Sequence, residues 1–86
     1  MAYNDAMKLF IGQKPDRQHM QALIRCKLPE NEPLLALFRA RLEEIKASLI
    51  AAEDHVRIHR LQGQAQALSD FLEAVEKSSE VFDRIK

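Results

Sequence analysis

Two runs of apolar residues, each spaced by threes and fours and out of step with one another, decide what this chain can fold into. Leu35, Phe38, Leu42, Ile45, Leu49, Ala52 and Val56 form the first. Ile58, Leu61, Ala65, Leu68, Leu72, Val75, Ser79 and Phe82 form the second, with only the serine polar. This spacing gathers side chains onto one stripe of an α-helix, and its persistence over several heptads is the pattern of a coiled-coil seam. A strand would scatter the same residues over both of its faces.

The seams do not continue one another. After Val56 the first would require residues 59 and 63, which are His59 and Gly63, and the apolar pattern resumes at Ile58 instead. Between them lies "AAEDH", in which Asp54 suits the N-cap of a new helix. The reading is a tight turn around Glu53 to His55 and an antiparallel helical hairpin of about residues 32–53 and 55–84. The rival is one continuous helix about 80 Å long with a register shift in its middle.

Ahead of the hairpin, residues 1–30 read as one or two short helices. "NDAMKLFIGQKPD" offers Asn4 as an N-cap, Met7, Phe10 and Ile11 on one face, and Gly12 as a stop. Asp16 can cap "RQHMQALIRC", where Met20, Leu23 and Ile24 share a face. "KLPENEP" then breaks the chain, because each proline pushes the residue before it toward an extended conformation. Asn31 can cap the next helix, with Pro33 in its first turn, where a missing N–H is tolerated. The whole of 1–86 is expected to be one all-α domain.

Eighty-six residues bury a thin core, about 60% of the surface of the unfolded chain. Small chains are usually reinforced by disulfides, a metal or self-association. One cysteine, Cys26, permits no internal disulfide, so an oligomeric bundle is expected. The 13 basic and 13 acidic residues balance, so no net field draws the chain to nucleic acid or an acidic membrane. No apolar run approaches the roughly 20 residues that span a bilayer. With a lone cysteine and no visible secretory signal, the expected location is the cytoplasm of a host cell or a virion.

Gly63 is out of place in a helix, costing about 1 kcal/mol relative to alanine. It stands beside the second seam, at helical spacing from Ala67 and Ala74 with Asp70 between them. Ala36, Ala40, Ala47 and Ala51 are similarly spaced in the first long helix. Small residues in a row let another backbone come close, so this stripe is read as a packing face for the N-terminal segment or a second subunit, the alternative being good helix formers on a solvated face with Gly63 a tolerated defect.

Chemistry finds little support. His55 and His59 are four apart, a spacing a metal can use, but a site needs a third ligand; Glu53 and Asp54 are near only at a turn, and no Glu completes a HExxH pattern. Cys26 beside Arg25 and Lys27 has no histidine or CxxC partner. Arg39–Glu43, Glu73–Lys77 and Glu80–Arg84 are i, i+4 pairs worth a few tenths of a kcal/mol each. No catalytic set, cofactor motif or metal cluster is read, so the chain is not expected to be an enzyme. Arg57 and Arg60, with the two histidines, could contact phosphate. No aromatic residue interleaves them, so nucleic-acid binding is expected only of an oligomer that gathers several elbows.

The segment "RLQGQAQALSDFLEAVE", preceded by "LFRARLEEIKASLIAAED", resembles small helical-hairpin proteins of tailed bacteriophages. In these an Arg-Leu-Gln-Gly-x-Ala-Gln motif opens the second arm. The matching residues are Arg60, Leu61, Gln62, Gly63, Ala65 and Gln66, followed by Leu68 and Leu72. The resemblance spans about residues 34–76 and carries over no functional residues. It implies a phage origin and an accessory or virion role. The functional expectation is a non-enzymatic interaction protein, a virion or assembly component or a binder of a host protein. Its contact residues would be Leu35, Phe38, Leu42, Ile45, Leu49, Leu61, Gly63, Ala67, Leu68, Leu72 and Val75. The alternative is a small oligomeric nucleic-acid-binding accessory protein, a packaging or regulatory factor, using Arg57 and Arg60.

Overall fold

A computed structural model describes residues 16–85, and the expected helix around Met7, Phe10 and Ile11 lies outside them. The described residues are helical, with no strand among them. They form α1 (Arg17–Arg25), a 3₁₀ turn (Pro29–Asn31), α2 (Glu32–Ala51) and α3 (His55–Arg84).

Each helix boundary has a local cause. Asp16 is extended, and its Oδ1 accepts a hydrogen bond from the His19 N–H at 2.8 Å, which caps α1 as its sequence suggests. Asn31 occupies the position before α2 but does not cap it with its side chain. Its Nδ2 reaches back instead and donates to the Arg25 carbonyl at 2.8 Å. The expected α2 cap is thus a C-terminal fastening of α1, because the intervening 3₁₀ turn brings residue 31 under the last turn of that helix. A free helix end has carbonyls to satisfy, and this one is satisfied here.

Ala52 leaves the helical conformation with ψ of 139°, and Asp54, also extended, accepts the Val56 N–H at 3.0 Å. The long helices are therefore separate, joined through Ala52, Glu53 and Asp54. The break falls at 52–54 rather than 53–55, and α2 ends at Ala51 rather than 53. Val56 belongs to the first turn of α3 and is 66% exposed, so the first seam stops at Ala52.

Both α1 and α2 pack on α3. Met20, Leu23, Leu35, Ala74, Val75 and Val81 form the main buried cluster, flanked by half-buried Cys26, Phe71, Leu72, Phe82 and Ile85. Leu42 and Ile45 are buried further along α2, outside that cluster. Phe38 meets Phe71 edge to face, with centroids 5.7 Å apart, a favoured geometry for an aromatic pair. At the far end Arg17 Nη1 donates to the Ile85 carbonyl at 3.1 Å, and its guanidinium lies 4.3 Å from the Phe82 ring centre. The described residues span 47 × 31 × 16 Å. Their short dimension is on the order of two stacked helices, so the core is thin.

The second seam needs one correction in this region. Ser79 is exposed, and the residue buried is its neighbour Ser78, whose Oγ donates to the Val75 carbonyl at 2.7 Å. The buried face of α3 turns here, where Met20 and Leu23 of α1 join Leu35 of α2 in the cluster. Ala74, Ser78 and Val81, at i, i+4 and i+7, are the positions that face α1.

Candidate functional site

With 100° between successive residues, α3 presents two opposed faces along its first two-thirds. The seam face carries Ile58, Leu61, Ala65, Leu68 and Leu72, all half-buried. The opposite face carries Val56, Arg60, Gly63 and Ala67, all exposed, and half-buried Asp70. Between His55 and Glu73 not one residue of α3 is fully buried, although the apolar pattern never lapses there. The same opposite face continues into buried Ala74, Ser78 and Val81, of which Ala74 and Val81 cluster with Met20 and Leu23 of α1.

The small-residue stripe therefore has two halves. Its C-terminal half receives the N-terminal segment, in the form of α1. Its N-terminal half stands open: a Cβ built on Gly63 meets no atom within 4 Å. No described part of the chain makes the close approach that Gly63 would permit, and Ala67 is equally bare. The counterpart in α2 forms no packing face in the described chain either, since Ala36, Ala40, Ala47 and Ala51 are all exposed. Of the other expected contact residues, Leu35, Leu42, Ile45 and Val75 are buried, while Phe38, Leu49, Leu61, Leu68 and Leu72 are half-buried.

The groups with chemical potential are not assembled. His55, Arg57, His59 and Arg60 are all exposed at the start of α3. Among the described residues no three His, Cys, Asp or Glu side chains gather to hold a metal ion. The Cys26 Sγ is half-buried and donates to the Ala22 carbonyl at 3.6 Å within its own helix turn. An open groove of about 460 Å³ lies between the 26–32 connection and the contact of α2 with α3. It is lined by Lys27, Glu32, Leu35, Arg39, Val75 and Glu76, among others. Arg39 and Glu32 already pair across it at 2.8 Å, and Lys27 Nζ donates to Ser79 Oγ at 3.4 Å. A second groove at the elbow, about 400 Å³, includes Ser48, Glu53, Asp54 and Arg57. Its Asp54 is engaged in capping α3. Neither groove pairs a nucleophile with a base.

The surface ion pairs differ from those the spacing suggests. Glu80–Arg84 forms at 2.9 Å. Arg39 takes Glu32 rather than Glu43, and Glu43 pairs with Lys46 at 3.3 Å. Glu73 does not pair with Lys77, and its Oε1 is buried with no hydrogen-bond partner among the described residues. Each of these exposed pairs contributes about 0–1 kcal/mol. No helix among the described residues is long and apolar enough to cross a membrane.

Compared with family models, with curated proteins and with solved structures, the chain matches none.

Proposed function

We propose that this chain is a non-enzymatic protein–protein interaction protein of bacteriophage origin, a virion or assembly component or a binder of a host protein. It acts through an antiparallel hairpin of α2 and α3 and associates with itself. The observation that carries the reading is the stretch of α3 from His55 to Glu73, where a sustained apolar seam has no fully buried member. A helix whose apolar stripe is only half covered is stabilised by whatever completes the cover.

The antiparallel arrangement is supported by the pairing of Phe38 with Phe71 and of Leu35 with Val75 in one cluster. The residue later in α2 meets the residue earlier in α3. Continued by turns of the helix, this register sets Leu42 beside Leu68 and Ile45 beside Ala65. The phage origin rests on the Arg60-to-Gln66 motif. The place of action is the host cytoplasm or the virion, and the partners are a second copy, a virion protein or a host protein.

The test is the solution mass over a concentration series, together with the melting of a Leu68→Asp variant. Aspartate in the half-covered seam is expected to lower the melting temperature by roughly 5–15 °C, the effect of about 1–2 kcal/mol in a domain of this size, and to lower the assembled mass. An unchanged mass and melting temperature would remove the seam from the reading. The alternative, a nucleic-acid-binding accessory protein, is favoured only by the exposure of Arg57 and Arg60 and of the two histidines beside them. Duplex DNA bound at low salt and released steeply as salt rises would install it in place of the first.

A further inference from the structure

The open face of α3 has a symmetry of its own. Arg60, Gly63, Ala67 and Asp70 follow one another at steps of three, four and three, so the row reads cation, small, small, anion. Inverted about residue 65, Arg60 falls on Asp70 and Gly63 falls on Ala67. Residue 65 is also midway between the start of α3 at His55 and Ala74, where the cover by α1 begins.

We propose that this face docks on the same face of a second copy, the two α3 helices running antiparallel about a two-fold axis beside residue 65. The proposal rests on the reading of the chain as a self-associating interaction protein and sets the contact on the face opposite the half-covered seam. Charge complementarity selects the occupant. Arg60 of each chain faces Asp70 of the partner subunit, twice by symmetry, whereas a parallel arrangement in register would oppose Arg60 to Arg60.

The polar groups are free to serve this role. Arg60 is exposed and makes no hydrogen bond or ion pair among the described residues. Asp70 accepts from Gln66 Nε2 at 2.8 Å through Oδ1, and its Oδ2 takes no hydrogen bond from the described residues. The small pair sets the distance. Gly63 opposite Ala67 lets the helix axes approach to the short end of the usual 8–10 Å. Steps averaging less than 3.6 residues wind the row obliquely around the helix, so the copies cross at an angle. The angle is needed at the ends of the contact, where inversion about residue 65 sets Val56 of one copy opposite Ala74 of the other, beside α1. A crossing centred at residue 65 also accounts for the glycine, which is placed where another backbone comes closest.

The experiment is sedimentation equilibrium of the full chain and three variants, with helicity followed by circular dichroism. Arg60→Asp and Asp70→Arg are each expected to weaken the dimer about tenfold or more, because two attractions become two repulsions. An equal mixture of the two variants is expected to recover association, as the carboxylate introduced at position 60 of one then faces the guanidinium introduced at position 70 of the other. Gly63→Leu is expected to weaken the dimer while keeping or raising helicity, since its side chain has open space in the single chain. A wild-type chain that stays monomeric throughout the series overturns the docking. An oligomer whose mass neither charge reversal alters overturns this face and register, while the interaction reading itself survives.

Discussion

An Ile45→Asp chain is expected to lose its helical circular dichroism and its cooperative melt at room temperature. Ile45 is 2% exposed in the thin middle of α2, beyond the cluster that α1 reinforces. Burying such a side chain contributes about 2–3 kcal/mol. A carboxylate in its place forfeits that and adds the cost of an unpaired buried charge, for a total of at least about 4–5 kcal/mol. A chain of this length has roughly 4–13 kcal/mol in all. The lower half of that range is the relevant one, since so little of α3 is fully buried. The control lies five residues on. Ile50 is 88% exposed, and Ile50→Asp is expected to change stability by no more than about 0.5 kcal/mol. Equal melting temperatures for the two variants would mean that the packing of α2 on α3 is not held by Ile45. A collapse of both would mean that the elbow is covered by something outside the described residues.

Much of this architecture was legible in advance because it follows from local rules. Two seams out of phase favour two helices over one with a register shift, and Asp54 marks where the second starts by offering its carboxylate to the Val56 N–H. Asp16 does the same for α1. What was not legible depends on docking between segments distant in sequence. Nothing local distinguishes Ser78 from Ser79, and only the arrival of α1 over Ala74 and Val81 decides which of them is buried. Asn31 looked like the cap of α2, yet its side chain serves the end of α1, because a 3₁₀ turn lies between the two. Arg39 had a carboxylate at i+4 and took the one at i−7 instead. Surface pairs this weak do not choose partners by spacing alone. The stripe of Gly63, Ala67 and Ala74 was visible as a stripe. Which part of it the chain would cover for itself was not, since that depends on the reach of a helix of 9 residues.

That short helix makes the second large effect predictable. Ala74→Leu is expected to lever α1 off the bundle while α2 and α3 stay together. Ala74 is 0% exposed among Met20, Leu23 and Val81, and three added carbons have no room there. Overpacking at such a site costs about 1–3 kcal/mol. Apart from the burial of Met20 and Leu23, which the overpacking disturbs directly, the attachments of α1 and the turn after it are weak: one hydrogen bond from Arg17 to the Ile85 carbonyl, its stacking on Phe82, and Lys27 on Ser79. A helix of 9 residues does not persist alone in water, where isolated helices shorter than about 12–15 residues are marginal. Release of α1 therefore means its unfolding, and Cys26 at its end reports the event. Its Sγ is half-buried and tied to the Ala22 carbonyl, so a thiol reagent should label it about tenfold faster in the variant. Amide exchange over Arg17–Arg25 should quicken in parallel, with the protection of α2 largely retained. The same enlargement at Ala67, on the same stripe but uncovered, should leave Cys26 labelling unchanged. Unchanged labelling in Ala74→Leu as well would mean that α1 is not seated on Ala74. Fast labelling in both would mean that the two halves of the stripe are coupled.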